Sequence, residues 1–348
     1  MDRETVENIR LNDDGTAVVI LDQTLLPGET SYLELRNAVE MYEAISSLRI
    51  RGAPAIGIFA AFALYVLARG FETEDYNAFL ADLKRHGAYL CSARPTAVNL
   101  FRQIKRIEKL VEDSAMLPIP RILETMRYEA LKIQNEDTEM CRAISEHGLK
   151  LIRGGFGILT YCNAGPLATS RYGTGLGAIL LAQERGMTLR VYCCETRPLL
   201  QGARLTAYEL KQAGVDCTLI CDNMASIVMK ENRIDAVFVG CDRVASNGDV
   251  ANKIGTSGLA ILAKHYNLPF YVFCPSSSID HSCETGAEIE IEQRPQREIS
   301  EMYFKKPVAP AGVNCYNPAF DVTDSSLITA IITEKGVCRA PYGQSLAL

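Results

Sequence analysis

The sequence lacks features that would assign the protein to a membrane, a secretory route or a nucleic acid. Its longest apolar run, residues 55–68, is shorter than the roughly 20 residues that a bilayer-spanning helix needs. The N-terminal stretch MDRETVENIR has no apolar signal segment, so we expect the protein to stay in the cytoplasm. No basic block stands in a terminal tail and the net charge is −6, which argues against nucleic acid as a partner.

Motifs for metals and dinucleotides are also missing. The twelve cysteines contain no CxxC pair and the four histidines lack metal-ligand spacing, so we predict no metal site and expect mostly reduced core cysteines. There is no Walker A sequence. The segment GTGLGA, residues 173–178, follows a long polar turn instead of a strand end, which argues against a dinucleotide fingerprint. We therefore expect no cofactor.

The composition is that of a soluble globular protein with enough sequence for two domains. Of 348 residues, 48% are hydrophobic and 22% are charged. We place the boundary near IRGGFG, residues 152–157, where the pattern changes. This predicts a smaller mixed domain over residues 1–150 and a Rossmann-like domain over residues 151–348.

The first half has a run of short strands and then helices. Residues 5–35 alternate extended runs with turn signals, which predicts an antiparallel meander. Helical patterns follow, interrupted at RGAPAIG and SARPTAVNL. Arg51 and Arg94 stand at these breaks, and Pro95 is predicted at a first helical position. An Arg beside the free N–H groups of a helix N-terminus can bind a phosphate. The simpler alternative is an Arg whose stem packs at the start of the helix while its charge stays in water.

The second half alternates apolar strands with helices, which predicts a parallel, doubly wound α/β sheet. Ligands of such sheets lie outside the carboxyl ends of the strands. The polar residues predicted at those ends are Cys162 and Asn163, then Glu195, Thr196 and Arg197 leading to Gln201, then Asp222, and then Asp242.

The most informative stretch is GCDRVASNGDVANKIGT, residues 240–256. It follows the apolar strand DAVFVG and precedes a helical pattern, so we interpret it as a Gly/Asn-rich turn that builds a ligand site. Asp242, Asn252 and Lys253 are its candidate polar groups. The alternative is an ordinary solvated loop.

Cys162 is the candidate among the cysteines because it ends a strand before Asn-Ala-Gly-Pro, on the same sheet edge as Asp242. A thiol facing a Gly-rich helix start can ionise more easily and act as a base or nucleophile. The alternatives are a buried structural cysteine and, for Asp242, a capping carboxylate.

Six separated motifs carry a family resemblance: RGAPAIG, SARPTAVNL, CNAG, ETRPLLQGARLTAYEL, GCDRVASNGDVANKIGT, and NPAFDVT with ITAIITEKGV. They resemble the motif set of the methylthioribose-1-phosphate isomerases. The wider family also holds ribose-1,5-bisphosphate isomerases and regulatory subunits of eukaryotic initiation factor 2B. The resemblance covers nearly the whole chain in the family's order.

The resemblance implies a homodimer with a Rossmann-like C-terminal domain that holds no nucleotide. It places the catalytic pair on Cys162 and Asp242. It places substrate phosphate and sugar contacts on Arg51, Gly52, Ala53, Arg94, Gln201, Asn252 and Lys253. One segment departs from the family: residues 276–295 carry His281, Ser282 and Cys283 where such isomerases usually have a short Ser-Ile-Pro-Thr-Gly run. The resemblance therefore leaves the exact substrate open.

The implied activity is conversion of methylthioribose 1-phosphate or 5-deoxyribose 1-phosphate to the ribulose 1-phosphate, in salvage of methylthioadenosine or 5-deoxyadenosine by-products. Phosphate blocks the anomeric carbon, so the ring cannot open spontaneously. Asp242 would protonate the ring oxygen, which needs a pKa raised in a water-poor site. Cys162 would move hydrogen between C2 and C1, through an enediol or by supporting a hydride shift. The alternatives are a ribose-1,5-bisphosphate isomerase and a non-catalytic regulatory subunit.

Overall fold

The computed structural model describes residues 7–95 and 97–347. Contacts within the chain divide these residues into two compact units. The first unit comprises residues 7–139 and 166–171, and the second comprises residues 140–165 and 172–347. The domain boundary at residues 150/151 stays a prediction.

The first unit opens with the expected antiparallel meander. Its strands are β1 Ile9–Leu11, β2 Val18–Leu21 and β3 Tyr32–Leu35. β1 pairs with β2 and β2 with β3, both antiparallel, so the sheet order follows the chain. All four residues of β2, the central strand, are buried. The first two residues of the predicted meander, 5 and 6, lie outside the described residues.

Helices make up the rest of the first unit. They are α1 Ala38–Ser46, α2 Ala53–Arg69, α3 Tyr76–Ser92, α4 Val98–Asp113 and α5 Ile119–Leu149, whose residues 140–149 belong to the second unit. Residues 55–68 of α2 are all buried, as expected for a helix that is apolar on every side. In the described ranges, no helix is long and apolar enough to cross a membrane.

The predicted place of Pro95 at a first helical position is wrong. α3 ends at Ser92, and α4 begins only at Val98, after the N-cap residue Ala97. Backbone hydrogen bonds from Arg94 N–H to the Cys91 carbonyl and from Ala97 N–H to the Arg94 carbonyl form turns instead. Proline at a first helical position is a preference that local turn geometry overrides here.

The second unit is built on a parallel sheet, which confirms the predicted α/β class. Its strands are β4 Gly157–Tyr161, β5 Arg190–Cys194, β6 Asp216–Ile220, β7 Ala236–Val239, β8 Arg243–Ala245, β9 Val250–Lys253, β10 Phe270–Phe273, β11 Ile279–Asp280, β12 Phe320–Thr323, β13 Ala330–Thr333 and β14 Gly336–Cys338. Its further α-helices are α6 Gly177–Glu184, α7 Ala207–Gln212, α8 Ala225–Lys230, α9 Thr256–His265, α10 Arg297–Ser300 and α11 Tyr342–Ser345.

Seven strands form the main sheet, in the order β14-β13-β10-β7-β4-β5-β6. All pairs are parallel except β13 with β14, which adds an antiparallel edge. The chain starts in the middle at β4, moves outward through β5 and β6, and then returns to the other side of β4 with β7. The direction in which successive strands are added therefore reverses between β4 and β7. This is the topological switch point of the sheet, and such sheets place ligands at the carboxyl ends of the strands there.

A second, four-stranded sheet corrects the expected loop over residues 240–256. Its order is β11-β8-β9-β12, and β8 and β9 form an antiparallel hairpin. The turn between them contains Asn247 and Gly248, and Gly248 has φ +90°. Asn-Gly between extended runs is a strong hairpin signal, so the sequence did contain the information. Asn252 and Lys253 consequently lie on a strand.

Candidate active site

Cys162 directly follows β4, in a backbone conformation that is uncommon for a side-chain-bearing residue. Its φ is +62°, and its side chain is half-buried. Its N–H donates to Thr196 Oγ1 at 2.8 Å, and its carbonyl accepts from Thr206 Oγ1 at 2.5 Å. Both threonines are fully buried. The backbone of Cys162 is therefore held on both sides.

Asp242 lies three residues past the end of β7, the strand beside β4. Its N–H donates to the Ala251 carbonyl at 3.0 Å, which attaches it to the β8–β9 hairpin. Its side chain is exposed in the chain.

Small residues pack the turns after β4 and β7 against each other. A Cβ on Gly240 would lie 2.6 Å from the Ala164 Cβ, and a Cβ on Gly175 would lie 2.9 Å from the Gly240 nitrogen. Only glycine permits these approaches without displacing the neighbouring turn. The GTGLGA segment thus packs against both strand ends, which keeps the turns that carry Cys162 and Asp242 together.

Asn252 and Lys253 are neighbours on β9, so their side chains point to opposite faces of the small sheet. Asn252 is buried, and its Nδ2 donates to Thr256 Oγ1 at 3.1 Å. The Lys253 ammonium lies 4.6 Å from the ring centroid of Phe320, within the range of a cation–π contact. The two residues therefore present their polar groups in different directions.

Gln201 lies directly before a π-helical segment, Gly202–Thr206, which continues into α7. Its side chain is buried, and within residues 7–95 and 97–347 its Oε1 has no hydrogen-bond partner. A buried amide oxygen without a partner is costly unless a ligand or solvent donates to it. π-Helical segments frequently occur at functional sites.

The remaining predicted residues lie in the first unit. Arg51 precedes α2, and its Nε donates to Gln23 Oε1 at 3.2 Å. Gly52 is the N-cap of α2 with φ +94°, and a Cβ there would lie 2.5 Å from Ala168 Cα. Ala53 is the first helical residue. The expected arrangement of an Arg beside a helix N-terminus is therefore present here.

Arg94 has a different setting, because it lies between helices and not directly before one. Its side chain is half-buried, and its Nε is a buried donor that no other described residue accepts from. An unpaired buried guanidinium nitrogen is costly to maintain without an anionic or polar partner.

A buried polar network around Cys162 was largely missed by sequence reasoning. Asn163 Nδ2 donates to Thr206 Oγ1 at 3.1 Å and to the carboxylate of Glu209, and all three side chains are buried. Asn163 was recognised only as a strand-end residue. Thr206 and Glu209 could have been found only through the motif ETRPLLQGARLTAYEL, which contains both.

Two further polar groups lie near the start of α9. The Asp321 carboxylate accepts from Gly255 N–H at 2.7 Å and Ser257 N–H at 3.1 Å, and burial raises its pKa. The Tyr161 hydroxyl lies 2.1 Å from where a Cβ of Gly255 would be. Burial raises the pKa of Tyr161, so it remains a neutral phenol. Sequence reasoning singled out neither residue.

Other cysteines have environments that favour the protonated thiol. Burial raises the pKa of Cys194 on β5 and of Cys241 between β7 and β8, and also that of Cys91 and Cys338. A thiol with a raised pKa is a poor nucleophile at neutral pH. These four cysteines therefore fit packing roles.

A model of the Initiation factor 2 subunit family matches residues 49–340. The chain is 59% identical to the methylthioribose-1-phosphate isomerase of Symbiobacterium thermophilum, over 98% of this chain and 95% of the relative. It is 53% identical to the 5-deoxyribose 1-phosphate isomerase of Petrotoga mobilis, over 98% of both chains.

Two solved structures share the whole fold. The 5-methylthioribose 1-phosphate isomerase of Pyrococcus horikoshii OT3 has a TM-score of 0.92 and 39% identity, covering 98% of this chain and 94% of that one. A protein of A. fulgidus described as translation initiation factor eIF-2B, subunit delta, has a TM-score of 0.90 and 41% identity, covering 98% of both. These findings confirm the resemblance carried by the six motifs: the chain belongs to the initiation factor 2 subunit family, together with isomerases of 5-methylthio and 5-deoxy pentose 1-phosphates.

Proposed function

We propose that this chain is an aldose–ketose isomerase that converts a 5-methylthio or 5-deoxy ribose 1-phosphate to the corresponding ribulose 1-phosphate. The names of its relatives divide between these two substrates. The observation that carries the proposal is the position of Cys162 and Asp242, which follow the two adjacent strands flanking the switch point of the sheet. An acid and a thiol at that edge are suited to a proton and hydrogen transfer on one small ligand.

Ring opening is the first chemical requirement. Because phosphate blocks the anomeric oxygen, the ring oxygen must be protonated while the C1 phosphate bond stays intact. We assign this acid role to Asp242. Asp242 is exposed in the absence of ligand, so a bound sugar can reach its carboxyl directly.

Hydrogen transfer from C2 to C1 is the second requirement, and we assign it to Cys162. As a base, a thiolate would remove the C2 proton and give an enediol-type species. Alternatively, the thiol would support a direct hydride shift. Reaction in D₂O separates the two routes, because only an enediol exposes the migrating hydrogen to exchange with solvent. Deuterium at C1 of the product supports the first route, and its complete absence supports the second.

Substrate contacts are proposed for seven further residues: Arg51, Gly52, Ala53, Arg94, Gln201, Asn252 and Lys253. The Gln201 Oε1 and the Arg94 Nε are buried polar atoms without partners among the described residues, which is consistent with contacts to a ligand. A sugar hydroxyl can donate to the first, and a phosphate oxygen can accept from the second.

A panel of pentose 1-phosphates that differ only at C5 tests the proposal. We expect the highest kcat/KM with methylthio or hydrogen at C5, because both are apolar. Ribose 1,5-bisphosphate should be poor, since a second phosphate would need its own cationic grip. A preference for the bisphosphate would support the sister isomerase instead.

A non-catalytic regulatory role is the second candidate, and the likeness to the A. fulgidus protein is what favours it. Such a subunit would bind without turning over any member of the panel. The presence of both Cys162 and Asp242 favours the enzyme, because a scaffold has no chemical use for them.

Assembly as a homodimer and a cytoplasmic location remain part of the proposal. Light scattering at several protein concentrations tests the dimer.

A further inference from the structure

Cys162 is held in the left-handed region by two hydroxyl groups on separate elements. Thr196 follows β5, and Thr206 ends the π-helical segment, Gly202–Thr206. One accepts from the Cys162 N–H and the other donates to the Cys162 carbonyl. A non-glycine residue with φ +62° is kept there only by surroundings that fix it.

The direction of each hydrogen bond is determined by the rest of the network. The Thr196 hydroxyl gives its one proton to the Cys194 carbonyl at 3.1 Å, which leaves its lone pairs for the Cys162 N–H. The Thr206 hydroxyl accepts from Asn163 Nδ2, which leaves its proton for the Cys162 carbonyl. Neither hydroxyl can exchange roles without leaving a buried group unpaired.

Both threonines are themselves anchored. Thr196 has φ +65°, and the Asp222 carboxylate accepts from the N–H groups of Thr196 at 2.8 Å and Arg197 at 2.7 Å. The segment that ends at Thr206 lies close against β5, since a Cβ on Gly202 would lie 1.7 Å from the Cys194 carbonyl oxygen. The network is therefore rigid and buried, while the Cys162 side chain that it supports is half-buried.

We infer that Thr196 and Thr206 are positioning residues that aim the Cys162 thiol for the hydrogen transfer. This inference rests on the proposed function, because it gives Cys162 a task that needs a fixed direction. Neither threonine has to touch substrate. A small misplacement of a reacting group costs on the order of 100-fold in rate. The loss should therefore appear in kcat, while KM, which depends on other residues, changes little.

The test uses Thr206→Val and Thr196→Val, each of which keeps the side-chain shape and removes the hydroxyl. Thr206→Ser and Thr196→Ser restore the hydroxyl. Thr333→Val is the matched control. Thr333 lies on β13 of the main sheet and is fully buried, as Thr196 and Thr206 are, and its hydroxyl likewise contacts backbone groups, at Gly336 and Lys335. We expect roughly 100-fold lower kcat in either valine variant, recovery in the serine variants, and no comparable loss in the control.

Alkylation of Cys162 by iodoacetamide, followed by mass spectrometry across pH, gives a second readout that needs no substrate. The valine variants should change the rate and pH profile of alkylation at Cys162, and Thr333→Val should not. Wild-type kcat and an unaltered profile in both valine variants would overturn the inference, as would losses that serine does not restore. If the wild type turns over no pentose 1-phosphate, the proposed function fails, but the alkylation profile still decides the positioning role.

Discussion

The carboxyl of Asp242 and the thiol of Cys162 are assigned different steps, so their replacements should fail in different ways. Asp242→Asn keeps the shape of the side chain but cannot deliver a proton to the ring oxygen. We expect turnover to be abolished and the Kd for the ketose product to be nearly unchanged. Stopped-flow or coupled assays measure the first quantity, and calorimetric titration measures the second. Full activity in this variant would remove Asp242 from the mechanism.

Cys162→Ser should lower kcat by several orders of magnitude, because a hydroxyl is a weaker base and ionises less readily than a thiol. Cys91→Ser and Cys338→Ser are the matched controls, since burial raises the pKa of both thiols and neither is placed in the site. These controls should lose some thermal stability at most. If Cys162→Ser keeps most of its kcat on every substrate while Asp242→Asn is inactive, Cys162 is a packing residue.

Arg94→Ala should lower kcat/KM roughly 30-fold or more, equivalent to about 2 kcal/mol, because a charge-assisted contact to phosphate is lost. Arg94 is a sharper test of the phosphate contacts than Arg51, because its Nε is buried and has no partner among the described residues. Arg127→Ala, on an exposed position of α5, removes the same charge elsewhere in the first unit. An equal effect of the two changes, or no effect of either, would contradict a specific role for Arg94.

The positions of Cys162 and Asp242 after core strands could be predicted from the apolar runs that precede them, while their catalytic roles stay a proposal. The contacts that support Cys162 could not be predicted in the same way. Thr206 lies 44 residues further along the chain, and only the fold brings its hydroxyl to the Cys162 carbonyl. Local patterns identify strand ends, but they do not contain hydrogen bonds between distant segments.

At the scale of elements, one carboxylate, that of Asp249, connects the turn of the β8–β9 hairpin to two other segments of the chain. Asp249 accepts hydrogen bonds from Asn247 Nδ2 at 2.8 Å, Ser325 N–H at 2.9 Å and Gly286 N–H at 3.0 Å. Burial acts to raise its pKa, but these hydrogen bonds outweigh it, so the pKa lies below its ordinary 3.8. The ionised carboxylate therefore stabilises the fold above pH 3.8, and this contribution is lost as pH falls through the lowered value.

Asp249→Asn should accordingly have a lower Tm than the wild type near neutral pH. The expected decrease is a few degrees for each kcal/mol by which the free energy of unfolding falls. The difference should shrink as pH falls below about 3.8. Thermal unfolding followed by circular dichroism between pH 2.5 and 7 measures it. Glu72→Gln, at an exposed position, serves as the control. A difference that does not depend on pH would show that the hydrogen bonds work equally well without the charge.

Secondary structure could be predicted where a run of apolar residues was long or was not interrupted by polar residues. The buried helix α2 and the core strands of the main sheet follow directly from such runs. Short strands such as β8 and β12 were missed because their three or four residues carry little periodicity. The small sheet forms because distant segments pair, as when β12 pairs with β9.

At the scale of the whole molecule, the doubly wound arrangement followed from the alternation of strands and helices. The order in which the strands pair was not predicted, and it determines which strand ends become neighbours. Because β7 returns to the side of β4, residues 80 positions apart in the sequence follow adjacent strands. That Cys162 and Asp242 follow neighbouring strands is therefore a property of the sheet topology, which local sequence does not specify.

Independence from metal ions is a prediction about the whole enzyme. The proposed steps use only a carboxyl to protonate the ring oxygen and a thiol to assist hydrogen transfer, and no CxxC or HExxH spacing occurs in the sequence. Among residues 7–95 and 97–347, no group of three His, Cys, Asp or Glu side chains is arranged to hold a metal ion. We expect kcat/KM to be unchanged after treatment with EDTA and dialysis, while a zinc enzyme treated in parallel loses activity. If activity is lost and one particular metal restores it, a metal takes part and the roles of Asp242 and Cys162 must be reassigned.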